Sequence, residues 1–238
     1  MSELPVHENH LGQMIGPPLP HWTPRPLPPH AEMRGRLCRL ELLEAARHAK
    51  ALHDAYAEDE LGRNWTYLPY GPFPSAEAYA EWVSARERRD DPLFYAILLA
   101  GSNRPVGVAS YLRIDPEMGS LEVGSLCYSP ALQRSAAATE AMYLMMRRAF
   151  DELGYRRYEW KCDALNQPSR RSAERLGFRY EGTFRQMMVI KQRSRDSAWY
   201  SVLDSEWPAL RNAFERWLDP GNFDANGMQR ARLEDLRG

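Results

Sequence analysis

The sequence predicts one α+β domain around a mixed sheet, and three observations carry that prediction. Strand-like and helical apolar patterns follow one another in the order strand, two helices, three strands, helix, strand, helix, two strands. Glycine- and proline-rich turns punctuate that series. The 238 residues, 44% hydrophobic and 26% charged, suffice for one full core with extensions, and no internal repeat interrupts it.

Residues 1–34 stand apart as a proline-rich arm containing Pro17-Pro18-Leu19-Pro20 and Pro24-Arg25-Pro26-Leu27-Pro28-Pro29. Proline at this density excludes helix and central strand, leaving an extended or polyproline-like segment. Such an arm either lies over its own domain, with Trp22 and Met33 to bury, or stays disordered, or serves as a ligand for another protein.

Residues 35–218 are regular. Leu37, Arg39, Leu40 and Leu42 suggest a strand, and Ala45, Ala49, Leu52 and Tyr56 fall at helical spacing. Ser75 is an N-cap for a helix presenting Tyr79, Trp82 and Val83 on one face. Leu93–Leu99 and Val106–Ile114 read as strands parted by Gly101-Ser102-Asn103-Arg104-Pro105, and Leu121–Tyr128 follows the turn Asp115–Gly119. Ala138, Met142, Met145 and Ala149 mark a helix ending near Gly154, and Arg157–Asp163 a strand. Ser169–Leu176 is a helix closed by Gly177, where glycine takes the left-handed conformation. Tyr180–Ile190 and Ala198–Leu203 are strands joined by the polar Gln192–Ser197, and a last helix from Ser205 carries Leu210, Phe214 and Trp217. Residues 219–238 form a polar C-terminal tail, expected to be loose.

Composition excludes several functions. Lys+Arg 31 against Asp+Glu 32 gives a net charge of -1, without the basic excess of a phosphate-neutralising protein, so nucleic acid is a poor partner. The longest apolar run, Leu93 to Ala100, is far short of the roughly 20 residues of a membrane span. No signal-peptide pattern opens the sequence, so the cytoplasm is the expected location. Cys38, Cys127 and Cys162 sit apart in strand-like segments and read as reduced, buried thiols. The histidines, all in the first quarter of the chain, show no metal-ligand spacing, so no metal is expected.

Two segments carry chemistry. In Tyr128-Ser-Pro-Ala-Leu-Gln133-Arg-Ser-Ala-Ala-Ala-Thr139-Glu140-Ala141 a strand ends, a loop of small residues follows and a helix starts. Unpaired N–H groups and partial positive charge at a helix start suit a diphosphate, although any helix start in an α/β protein shares them. In Cys162-Asp163-Ala-Leu-Asn166-Gln-Pro-Ser169, Asn166 and Ser169 sit where a strand opens into a helix, so they cap that helix or face a cleft.

In this order and about thirty residues apart, the two segments resemble the GNAT superfamily of N-acetyltransferases. The nearest likeness is to its RimJ/RimL-like branch, which acetylates protein N-termini and small amines. That family's acetyl-CoA loop reads Gln/Arg-x-x-Gly-x-Gly/Ala, and Gln133-Arg134-Ser135-Ala136-Ala137-Ala138 departs from it only at Ala136. Thr139-Glu140-Ala141 is similar to the usual continuation, Leu121-Glu122-Val123-Gly124 to the strand before the loop, and Asn166-x-x-Ser169 with Leu176-Gly177-Phe178 to the second signature. The likeness runs from about Arg34 to Trp207.

The resemblance implies a GNAT-type fold, with a mixed, mostly antiparallel sheet flanked by helices, and acetyl-CoA as co-substrate. By position, the backbone of Leu126, Cys127 and Tyr128 takes the pantetheine arm, while Gln133–Thr139 and Asn166 hold the rest of the cofactor. Ala136 is costly, on the order of 1 kcal/mol, only if the loop needs φ > 0 there. The acceptor is a primary amine, of a protein N-terminus or a small molecule, attacking directly in a ternary complex. An α-amine has a reference pKa near 8, so about a tenth is neutral at pH 7 and a modest base suffices. Glu122 is the candidate base, against a purely structural strand glutamate, and Ser169 the donor to the departing thiolate, with Asp163 and Tyr128 in reserve. Alternatives are a catalytically silent GNAT-fold module that binds acyl-CoA or a partner, and an adaptor acting through the proline arm. The oligomeric state is open, a homodimer included.

Overall fold

The computed structural model describes residues 6–237. A hairpin of β1 (His7–Glu8) and β2 (Met14–Ile15) stands apart from an eight-stranded sheet. The sheet comprises β3 (Met33–Arg34), β4 (Cys38–Leu42), β5 (Leu93–Leu99), β6 (Pro105–Asp115), β7 (Ser120–Tyr128), β8 (Arg157–Asp163), β9 (Arg179–Ile190) and β10 (Arg193–Leu203). Its order is β3-β4-β5-β6-β7-β8-β10-β9, antiparallel throughout except for the parallel pair β7–β8. The mixed, mostly antiparallel sheet matches the expectation.

The helices are α1 (Lys50–Ala57, preceded by a π-helical turn Ala45–Ala49), α2 (Ala76–Ser84), α3 (Ala136–Arg147), α4 (Gln167–Arg175) and α5 (Trp207–Leu218). Helices α1 and α2 cover one face over an aromatic-rich cluster of Tyr56, Trp65, Tyr79, Trp82 and Phe94. Helices α3 and α5 cover the other, where Tyr95, Tyr111, Tyr158, Trp160 and Phe214 are buried. Because β5 lies between both layers, its run Leu93–Leu98 is buried throughout and reads as continuous apolar sequence. Strand β8 instead alternates: Tyr158, Trp160 and Cys162 enter the α3-side core, and Glu159 and Lys161 take the opposite face.

Local signals behave as the sequence suggests. Ser75 Oγ accepts from the Ala78 N–H at 3.2 Å and caps α2, Gly177 has φ +97 beyond α4, and all three cysteines are free and buried. From Trp22 onward the arm lies on its own domain. Trp22 Nε1 donates to the Glu117 carbonyl (2.9 Å), and the Arg148 guanidinium donates to the carbonyls of Ala31 (2.6 Å) and Glu32 (2.7 Å).

Two expectations need correction. The supposed linker Gln192–Ser197 is strand: β9 and β10 are joined by a tight turn at Lys191 and Gln192, with φ 47 and 61, and Arg193 already begins β10. Polar residues are tolerated there because the hairpin tip lies at the sheet margin. The tail is packed rather than loose, since Leu233 is fully buried and Gln229 Oε1 accepts from Trp217 Nε1 at 2.8 Å.

Candidate active site

The centre of the sheet is split. Strands β7 and β8 pair only from Ser120↔Arg157 to Val123↔Trp160. Beyond that point each follows its outer neighbour, β7 staying with β6 to Tyr128↔Gly107 and β8 with β10 to Asp163↔Ser197. A wedge therefore opens between Gly124–Tyr128 and Lys161–Asp163, and its inner edges carry backbone N–H and C=O groups that do not pair across it. Its cause is a bulge in β7. Ser110 faces Gly124 and Val108 faces Cys127, so Ser125 and Leu126 oppose Ala109 alone, and Ser125 takes φ 52.

The far edge of β7 is braced from the α1 side. Tyr56 Oη donates to the Cys127 carbonyl (3.2 Å), and Tyr128 O accepts from both Asn64 Nδ2 (3.0 Å) and Gln133 Nε2 (2.9 Å). The Gln133 amide also donates to Asn64 Oδ1 at 2.7 Å, so its side chain holds the loop to the strand. Neither Tyr56 nor Asn64 carried a local sequence signal; they reach β7 from 71 and 64 residues away.

The wedge leads to the N-terminus of α3. Arg134 takes the left-handed conformation at φ 56, Ser135 is extended, and Ser135 Oγ accepts from the Ala138 N–H at 3.1 Å. Ala136 is the first helical residue, so the left-handed position lies two residues earlier and the alanine carries no backbone strain. The N–H groups of Ala136 and Ala137 have no acceptor within their own helix. Thr139 Oγ1 accepts from Arg175 Nη1 at 3.1 Å. Amide-bearing pantetheine fits the unpaired strand edges and a diphosphate fits this helix start.

Glu122 and Ser169 stand at the apex of the wedge on opposite faces of the sheet. Glu122 is 3% exposed, and its Oε2 accepts from Arg113 Nε (2.7 Å) and Lys161 Nζ (3.2 Å). Its Oε1 leans over Gly124, 3.1 Å from where a Cβ would stand, with Leu112 Cδ2 at 2.9 Å from the same point, so a side chain there would crowd both. Burial pushes the Glu122 carboxyl above the usual range, against the lowering influence of Arg113 and Lys161. On the other face Ser169 Oγ accepts from Trp160 Nε1 at 3.0 Å, and the same hydroxyl has the Cys162 thiol as a neighbour to which it can donate. Asn166 Oδ1 accepts from the Ser169 N–H at 3.2 Å, so Asn166 is the cap of α4. Asp163 Oδ1 accepts from the Leu165 N–H (2.9 Å) and shapes the turn into α4, while the Tyr128 hydroxyl is buried without a partner. Sequence reasoning missed Arg113 and Lys161; strand alternation puts Lys161 on the Glu122 face only once the β7–β8 register is known.

Among the described residues no helix is long and apolar enough to cross a membrane. The family described as an acetyltransferase (GNAT) domain matches residues 39–179. The crystal structure of a GCN5-related N-acetyltransferase from Brucella melitensis is 46% identical, with 92% of this chain and 99% of that one covered at a TM-score of 0.90. The SPbeta prophage-derived uncharacterized N-acetyltransferase YokL of Bacillus subtilis is 28% identical over 151 residues, 63% of this chain and 82% of YokL. A fold likeness also links the Salmonella typhimurium acetyl transferase that modifies the N-terminal serine of ribosomal protein L7/L12, at 20% identity and TM-score 0.63 over 73% of this chain and 99% of that one. With the split sheet and the helix start already in place, these matches settle the family: the chain belongs to the GNAT acetyltransferases and transfers an acetyl group from acetyl-CoA to an amine.

Proposed function

We propose that this chain is a RimJ/RimL-like enzyme of the cytoplasm that acetylates a primary amine, on a protein N-terminus or a small molecule, by direct attack in a ternary complex. Residues 35–218 form the acetyltransferase domain, 1–34 an arm and 219–238 a tail. Acetyl-CoA supplies the acetyl group as a thioester. The backbone of Leu126, Cys127 and Tyr128 takes the pantetheine arm; Gln133, Arg134, Ser135, Ala136, Ala137, Ala138 and Thr139 take the diphosphate, with Asn166 at the neighbouring helix start.

Glu122 accepts the proton that the amine must lose as its nitrogen bonds to the carbonyl carbon. A bulge N–H stabilises the oxyanion. Ser169 donates a hydrogen bond from its hydroxyl to the sulfur as the C–S bond breaks and the thiolate departs. The observation that carries this reading is the divided Glu122 carboxylate, one oxygen held by two cations and the other turned over Gly124. The substrate of the Salmonella enzyme supports peptide N-termini as the first acceptors to try.

Acetyl-CoA binding by calorimetry and CoA release with peptides and small amines test the proposal together. Binding and amine-dependent release are expected. Binding with no release for any amine would leave a silent acyl-CoA module instead.

A further inference from the structure

Lys161 is the most confined cation beside the wedge, nearly as buried as the Glu122 carboxylate it meets. It is 6% exposed, and its Nζ lies 3.2 Å from Glu122 Oε2, 2.7 Å from Glu159 Oε2 and 3.5 Å from the centroid of the Trp199 ring. Glu159 is held in turn: its Oε1 accepts from Arg157 Nε at 2.7 Å, and Arg157 continues to Glu181 through two hydrogen bonds. In the parallel register Glu159 stands directly opposite Glu122. The charged groups that meet Glu122, among the described residues, are Arg113 from β6 and Lys161 and Glu159 from β8.

Two carboxylates side by side in a dry site would push one another towards the protonated state. A lysine between them removes that pressure, and the indole face behind it prevents it from swinging away. The arrangement also divides Glu122. Lys161 and Arg113 claim one oxygen, which orients the carboxylate so that the other lies over Gly124 at the wedge apex.

We propose that Lys161 is a positioning residue for the acetyl transfer: it fixes the Glu122 carboxylate with Oε1 at the wedge and, together with Glu159, sets how tightly Glu122 holds a proton. This rests on Glu122 as the base. Lys161 touches neither amine nor thioester; it acts through Glu122.

The signs of two substitutions are opposed. Lys161→Met removes a cation and should raise the proton affinity of Glu122 by about one pH unit or more, the usual effect of an opposite charge within ~4–6 Å. Glu159→Gln removes an anion, leaves Lys161 to Glu122 alone, and should lower it.

Carboxyl 13C NMR titration reads this directly, with the Glu122 signal assigned by its loss in Glu122→Gln. The pH profile of kcat/KM, taken with a weakly basic amine that stays neutral across the range, reads the same group in catalysis. An upward shift in Lys161→Met with a downward shift in Glu159→Gln, in both readouts, supports the proposal. Should Lys161→Met fail to fold, the downward shift in Glu159→Gln carries the test. A Glu122 signal that titrates unchanged in the folded variants, or moves the same way in both, overturns it. A kcat/KM limb that survives Glu122→Gln overturns the base assignment instead, whatever the NMR titration shows of Lys161.

Discussion

Replacing Ala136 with glutamate should separate stability from binding, two quantities that active-site substitutions usually lower together. Ala136 opens α3 in ordinary helical geometry, partly exposed, directly after the capping Ser135. A carboxylate in the first turn of a helix meets the positive end of its dipole, worth about 0.3–1 kcal/mol in favour of the fold. The free variant should therefore melt no lower than the parent. A bound diphosphate would feel the same carboxylate as repulsion. Two like unit charges about 5 Å apart at an effective dielectric of ~40 repel by ~1.7 kcal/mol, and each ~1.4 kcal/mol is a tenfold change in Kd. Calorimetric titration with acetyl-CoA should show affinity at least tenfold weaker. Ala136→Gln, of equal bulk but uncharged, should lose much less. A glutamate variant that stays folded and binds acetyl-CoA like the parent would remove the α3 N-terminus from the cofactor site.

The order of elements was legible because each strand and helix writes its own apolar period, and neither Ser75 nor Gly177 needs a distant partner to be read as a helix end. What failed was also local. A tight hairpin turn with two positive φ values announces itself through Asn or Gly, but here the positions are Lys191 and Gln192, so the strand behind them looked like a polar linker. Proline content excluded helix from the arm yet could not show that Met33–Arg34 adds a strand beside β4. That junction depends on Glu140, read in the sequence only as part of the cofactor helix. Its carboxylate accepts from the N–H groups of Arg36 (2.9 Å), Leu37 (2.6 Å) and Cys38 (2.8 Å), 102 to 104 residues away. Gly35 completes the seat, since a Cβ there would lie 2.3 Å from Glu140 Oε2.

The cofactor loop and the Asn166–Ser169 pair could be found because a strand-to-helix junction is contiguous in the chain. The electrostatic setting of Glu122 could not. It is assembled across β6, β7 and β8, and no spacing in the sequence encodes which strands lie side by side.

Two further outcomes follow from the contacts around α3 and α4. Glu140→Gln replaces one acceptor oxygen with an N–H donor facing backbone N–H groups. Losing one charge-assisted hydrogen bond, about 1.5–3 kcal/mol, should lower Tm by roughly 3–12 °C for a chain of this size; a melting curve unchanged within a degree would show that the junction does not depend on Glu140. Ser169→Ala tests the donor to the thiolate, but it also strips Trp160 Nε1 of its acceptor, so some stability will be lost whether or not the hydroxyl takes part in chemistry. Acyl donors of graded thiol pKa separate the two roles. If the Ser169 hydroxyl stabilises the leaving thiolate by a hydrogen bond, the deficit in turnover should shrink as the thiol becomes a better leaving group. A deficit of the same size with every donor would mean that Ser169 only holds the Trp160 ring, and that the departing thiolate takes its proton from water.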